Sequence, residues 1–208
     1  MPASTTVTDP SVSHRILEAA AEVFAGSGLD AGLAEIAERA GVGVATIYRR
    51  FATKDDIIQA LAERRFTEIT TRMRAAAQLG DPWEAFASEF RASALDFAAD
   101  RGFRELVVSS ATDSLGWARG TKPTALQESI ARWSEEVMSI IGQLIERAHA
   151  SGQLRADVDG PVVFQLSLAA QSIAALGDRD SHAQAIEIIL DGLRSRTPVV
   201  PLGHDLNA

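Results

Sequence analysis

Between Arg39 and Lys54 the chain carries four cations, Arg39, Arg49, Arg50 and Lys54, and no acidic residue; Thr46 and Tyr48 lie in the same stretch. Guanidinium, ammonium and hydroxyl groups with no carboxylate among them suit one chemistry above others: hydrogen bonding to phosphate oxygens and to the edges of bases. An arginine can pair bidentately with guanine, a contact worth about 1–3 kcal/mol of discrimination. Either Arg49 or Arg50 can fill that role. Thr46 can bond a phosphate or touch a thymine methyl, and Tyr48 can donate its hydroxyl to a phosphate. Lys54 stands where a helix begins, so its charge adds to the free backbone N–H groups there. With Gly43, Val44 and Ala45, which open the same segment, these residues form the candidate DNA-contact set.

Such a set must be held on one face. The segment Gly32 to Phe51 divides into two short helices about a glycine turn. Leu33, Ile36 and Ala37 give the first an apolar face. Small Ala40 lets the helices approach, Gly41 supplies the turn and Val42 plugs the corner. Val44, Ile47 and Phe51, three and four residues apart, give the second helix its apolar side. Ala45, Thr46, Tyr48, Arg49 and Arg50 are then left outside. This is the layout of a helix-turn-helix whose second helix enters the major groove.

The net charge of −8 over 208 residues does not oppose this reading, because the cations are local and acids resume at Asp55. An acidic remainder favours specific docking over coating. The chain has no cysteine, which excludes disulfides, thiolate metal sites and cysteine nucleophiles and suits a reducing cytoplasm. No run of 18 apolar residues occurs, so no membrane span is expected. The first nine residues lack the basic and apolar regions of a secretory signal.

Periodicity predicts an all-α chain of about nine helices. A first helix has Ser13 as its N-cap, apolar residues at Ile16, Ala20, Val23 and Phe24, and stops at Gly26 and Gly28. After the motif, a long helix from Lys54 to about Leu79 carries Ile57, Ile58, Leu61, Phe66, Ile69 and Met73. Asp81 caps the next, with Pro82 at its first position. A short helix follows over Phe103 to Ser110, and residues 112–123 read as a loop. The last three helices run from about Leu126 to Gly152, from Pro161 to Leu176, and from His182 to Arg194. The expected organisation is a disordered arm (1–12), a helix-turn-helix domain (13–53), a helical ligand-binding and dimerisation domain (54–196) and a flexible tail (197–208).

The pattern Ile36-Ala37, Ala40-Gly41-Val42, Ala45-Thr46-Ile47-Tyr48, Phe51 and Lys54 resembles the DNA-binding signature of the TetR family of regulators, as does the preceding helix with Ala20, Val23, Phe24 and Gly28. The resemblance covers about residues 13 to 60. It implies a homodimer on a palindromic, double-stranded operator, and a divergent C-terminal helical domain whose small-molecule effector loosens DNA binding. The chain departs from the common pattern at both helix N-caps, where Gly32 and Gly43 stand in place of Thr or Ser. Glycine caps at a cost of only a few tenths of a kcal/mol, but two hydroxyl contacts to phosphate are lost.

Beyond the motif, aromatic residues at helical spacing serve as core or ring a cavity between helices. The candidate lining is Phe66, Met73, Phe90, Phe103, Trp117 and Trp133. Trp117 is of special interest because it sits in a glycine-flanked loop. The last two helices are apolar over more than one stripe. Leu166, Ala169, Ala170, Ile173, Ile186, Ile189, Leu190 and Leu193 are therefore the candidate dimer face, the alternative being that the extra stripe packs on the preceding long helix. No cofactor, metal site or catalytic set is expected. His14, His149, His182 and His204 have no metal spacing, Asp157-Val-Asp-Gly160 reads as a turn and helix cap, and nothing titratable converges into an enzyme site. The reading from the residues is a ligand-responsive DNA-binding regulator. The alternative is a helical ligand-binding or adaptor protein with a vestigial motif, which need not keep the basic face intact.

Overall fold

A computed structural model describes residues 10–114, 124–176 and 179–195. In chain order the helices are α1 (Pro10–Ser27), α2 (Leu33–Ala40), α3 (Val44–Arg50), α4 (Lys54–Ala76), α5 (Pro82–Ala99), α6 (Arg101–Ser114), α7 (Ala125–Ala150), α8 (Gly160–Leu176) and α9 (Arg179–Leu193). No strand forms among the described residues. Leu154 and Arg194 make an isolated antiparallel bridge that ties the α7–α8 loop to the end of α9. No described helix is long and apolar enough to cross a membrane.

Local chemistry accounts for the boundaries. Asp81 accepts from the Trp83 and Glu84 N–H groups at 2.9 and 3.3 Å, and Pro82 follows as first helical residue. Thr53 and Asp56 close a capping box at the start of α4, and Thr124 and Gln127 do so at α7. Three expected boundaries move. The first helix begins at Pro10, so Ser13 lies inside it and is not the cap. A proline is tolerated there because the first turn needs no N–H from it. The helix after α5 continues to Ser114, four residues beyond the expected end, and α9 begins at Arg179, before His182. Residues 1–9 and 196–208 of the arm and tail, and the segment 115–123 with Trp117, lie outside the described residues.

Two apolar clusters hold the molecule. The first starts in the head with Ile16, Val23 and Phe24 of α1, Ile36 of α2 and Ile47 of α3, and runs without a break through Ile57, Ile58, Phe66, Ile69 and Met73 of α4 to Phe103 of α6 and Ile130 and Ile140 of α7. The helix-turn-helix is thus welded to the body by α4. The second joins Trp83, Phe86 and Phe90 of α5 and Ile145 and Ala148 of α7 to Val163 and Ala170 of α8 and Ile186, Leu190 and Leu193 of α9.

That second cluster corrects the expected dimer face. Ala170, Ile186, Leu190 and Leu193 are buried in the protomer's own core, under the aromatic face of α5, and Leu166 and Ile189 are half-buried against the same cluster. Of the eight candidates only Ala169 and Ile173 face outward. Ile188 of α9, which was not among the eight, is 64 % exposed.

Candidate nucleic-acid interface and effector cavity

Gly41 turns the chain with φ +65°, a left-handed conformation that favours glycine, and the Val42 N–H then returns to the Ala37 carbonyl at 3.0 Å. The turn sets the rotation of α3. Ile47 is wholly buried in the head core, while Tyr48 one residue on is 56 % exposed. Ala45 and Arg49 are exposed, and Thr46 and Arg50 are half-buried. Val44 is exposed as well, so Ile47 and half-buried Phe51 form the inner face without it. The Thr46 hydroxyl accepts from Arg49 Nη2 at 3.0 Å, which lays that guanidinium along the outer surface of α3. Lys54 Nζ stands 5.7 Å over the Phe24 ring. Among the described residues Arg49, Arg50 and Lys54 have no carboxylate partner.

Two expectations for this face need correcting. Arg39 is not one of its free cations: its Nε donates to Glu22 Oε2 at 2.6 Å, across to α1. The N-terminus of α4 is also less open than expected. Thr53 Oγ1 takes the Asp56 N–H, Asp56 Oδ2 takes the Thr53 N–H, and Asp55 and Asp56 place two carboxylates in that turn. Lys54 contributes mainly as a charge.

Gly32 and Gly43 stand at the N-caps of α2 and α3 with extended backbone (φ −82° and −77°) and no side-chain cap. A Cβ at Gly43 would meet nothing within 4 Å, and one at Gly32 only the Ala34 nitrogen at 4.0 Å. The variant Gly32→Thr/Gly43→Ser is therefore expected to fold unstrained and to bind every duplex more tightly, each new hydroxyl contributing about 0.5–1.5 kcal/mol. Filter-binding affinities equal to those of the parent chain would defeat this.

A cavity of about 520 Å³ lies in the body, within the range of small-molecule sites. Phe66, Met73, Phe90 and Phe103 line it, four of the six expected residues. Trp133 does not; it stands behind the wall, stacked on Phe66 with ring centroids 5.4 Å apart and planes at 26°. The sequence reading missed the polar wall: Arg72 of α4 and Glu89, Ser93 and Asp96 of α5. Arg72 Nε reaches both Glu89 oxygens, at 3.2 and 3.4 Å, and Nη1 reaches Asp96 at 2.8 Å. Arg65 Nη2 holds the other Asp96 oxygen at 2.8 Å. Burial pushes the Glu89 carboxyl above the ordinary carboxylate range, against the pull of Arg72. Burial works against the Arg72 charge too, but Glu89 and Asp96 together outweigh it and hold the guanidinium above its usual value. A signal was available: Glu89, Ser93 and Asp96 are spaced four and three apart, on the α5 face that carries Phe86 and Phe90.

Besides α4, the helix α6 links the cavity to the head. Phe103 and Val107 of α6 line the cavity. On the same helix a Cβ at Gly102 would lie 2.9 Å from Phe24 Cβ and 3.0 Å from the Phe24 carbonyl oxygen, so only glycine permits this crossing with α1. Glu105 Oε2 accepts the Leu29 N–H at 2.8 Å and Arg101 Nε donates to its Oε1 at 2.7 Å. The Leu29 N–H, then Arg101, hold the Glu105 carboxyl below its ordinary value.

Arg155 pairs with Asp157, and Asp159 caps α8 by accepting the Val162 N–H at 3.0 Å. Among the described residues no three metal-ligating side chains cluster.

Residues 16–61 match the bacterial regulatory proteins of the tetR family, and residues 81–195 match the C-terminal domain described as transcriptional regulator SbtR-like. The HTH-type transcriptional regulator SrpR of Pseudomonas putida is 25 % identical over 181 residues, 85 % of this chain and 81 % of that one. Among solved structures, a TetR transcriptional regulator from Streptomyces coelicolor is 27 % identical with a TM-score of 0.58, over 88 % of this chain and 99 % of that chain. FadR from Bacillus subtilis, solved in complex with stearoyl-CoA, shares the fold at 20 % identity with a TM-score of 0.60, over 87 % and 99 %.

Proposed function

The chain belongs to the TetR family of transcriptional regulators, and from that premise we propose that it is a repressor that binds a palindromic operator as a homodimer and is released by a small molecule held in the body cavity. The observation that carries the reading is the outer face of α3, where Tyr48 and Arg49 are exposed, Arg50 is half-buried, and neither arginine is paired to an acid among the described residues. Among the described residues, Ala169 and Ile173 of α8 and Ile188 of α9 are exposed apolar residues available to a two-fold helix bundle. Duplexes from upstream of the gene, followed by fluorescence anisotropy across a salt series, test the core of the proposal. Nanomolar binding that a scrambled duplex does not show, with a steep salt slope, is expected. No preference for any duplex, including those from a random-sequence selection, would mark the motif as vestigial.

Release is proposed to run through α6 as well as α4. A molecule pressing on Phe103 and Val107 moves the helix whose Gly102 and Glu105 grip α1 and the loop after it, and so changes the spacing of the two heads. It acts only through its different affinity for the two arrangements. Glu105→Ala removes the grip on Leu29. Its expected result is faster exchange of the Leu29 amide and operator binding weaker on the order of tenfold, since coupling energies of this kind are about 1–3 kcal/mol. Glu105→Gln keeps an acceptor and is expected to restore both. Unaltered operator binding in Glu105→Ala would remove the residue from the pathway. Because the folded Glu105 carboxyl titrates below its unfolded value, its contribution is present above the unfolded value and fades as pH falls through the folded one. The grip therefore loosens in acid.

A further inference from the structure

The cavity wall is unbalanced in charge and in hydrogen bonds. Its charged lining residues are Arg72, Glu89, Asp96 and the exposed Glu135, three carboxylates against one guanidinium. Asp96 is well supplied, with Arg72 on one oxygen and Arg65 on the other, each at 2.8 Å. Glu89 is not. Its side chain is 6 % exposed, yet both oxygens share the single Arg72 Nε–H, at 3.2 and 3.4 Å. An ionised carboxylate offers about four acceptor sites. One shared N–H at the long end of the range leaves most of them empty in a place that water supplies poorly. One turn along α5, Ser93 faces the same cavity, and the Phe86 and Phe90 rings line it beside Glu89.

We propose that the effector is a lipophilic cation with N–H donors, such as a protonated amine on an apolar body, its ammonium set against Glu89 and Ser93 and its body among Phe66, Phe86, Phe90 and Phe103. This rests on reading the cavity as the effector site. The cation supplies the donors that Glu89 lacks, and phenylalanine faces attract positive charge. Burial already raises the Glu89 carboxyl, so an arriving cation relieves a cost that is present in the empty protein. An anionic amphiphile meets three carboxylates, and of the Arg72 guanidinium, whose Nε and Nη1 are held by Glu89 and Asp96, only the buried and unpartnered Nη2 is left to it. A neutral amphiphile gains the apolar contacts and leaves Glu89 as it is.

Three probes of one chain length separate these cases: dodecylammonium, dodecanol and dodecanoate, each kept below its micelle concentration and titrated into the full chain. Tryptophan emission is the first readout, since Trp133 stacks on the wall residue Phe66, and thermal shift is the second. Dodecylammonium is expected to bind at least about tenfold more tightly than dodecanoate. Glu89→Gln is expected to bring the cation down to the level of dodecanol. Should that variant not fold, the wild-type order of the three probes still decides. Dodecanoate binding as tightly as dodecylammonium, dodecanol binding most tightly, or a cation preference that survives Glu89→Gln would each overturn the proposal while leaving the cavity as the effector site. If none of the three moves either readout, the effector cavity itself is refuted and this inference with it.

Discussion

The double variant Arg49→Ala/Arg50→Ala is expected to lose roughly 30-fold to more than 10,000-fold in operator affinity, because one base-reading arginine is worth about 1–3 kcal/mol in each of two half-sites. Its fold should survive, since Arg49 is exposed, Arg50 is only half-buried, and α3 is anchored by Ile47. The loss should be far smaller on a scrambled duplex, where only phosphate contacts are at stake. Single variants then identify the reader. Arg49 is already oriented by Thr46 Oγ1, so Thr46→Val should imitate part of Arg49→Ala if Arg49 touches a base. Lys54→Ala is the contrast. It should weaken all duplexes alike and flatten the salt dependence by about 0.9 per half-site. A double variant that weakened specific and scrambled duplexes equally would reduce both arginines to phosphate anchors.

The head was legible in the sequence because its constraints are local. Gly41 fixes the turn, the turn fixes the rotation of α3, and that rotation buries Ile47 and exposes Tyr48. The stripe on α4 was equally plain, since Ile57, Ile58, Phe66, Ile69 and Met73 recur at helical spacing and all are buried. What could not be read was which neighbour covers a face. Ile186, Leu190 and Leu193 form a regular stripe, but periodicity cannot say whether a helix of the same chain or a second protomer lies over it; in the fold α8 and α5 pack against α9. Arg39 failed for the same reason, as its Glu22 partner lies 17 residues away on another helix.

The cavity was legible by half. Phenylalanines at helical spacing announced an aromatic interior, and four of the expected residues do line it. Charged residues on amphipathic helices read as surface, so Arg72, Glu89 and Asp96 went unnoticed. Their inward position depends on α4 and α5 packing so that an arginine of one meets two acids of the other. That pairing is a tertiary fact. It is also what turns an apolar void into a place with a chemical preference.

Phe66→Ala is expected to cost about 3–5 kcal/mol of folding stability. The ring is 4 % exposed, meets Phe103 edge-on at 5.4 Å and stacks on Trp133 at 5.4 Å, so its loss removes two aromatic contacts as well as buried area. For a chain of this size that is a fall in Tm of roughly 6–20 °C, at about 2–4 °C per kcal/mol. Calorimetry measures it, and a blue or red shift of Trp133 emission should accompany it. One face of Phe66 already borders the cavity, so the deleted ring enlarges an existing space. Added benzene should therefore restore part of the loss by mass action. A cost below about 1 kcal/mol would mean that the wall collapses inward and that the cavity is soft. The same variant probes the link to DNA. Phe66 is carried by α4, which begins at Lys54 beside the recognition helix and, at 23 residues, is a rod of about 34 Å. If the heads are spaced by how that rod seats on α6 and α7, then Phe66→Ala should weaken operator binding at temperatures where the variant is fully folded, and benzene should move that affinity along with the Tm.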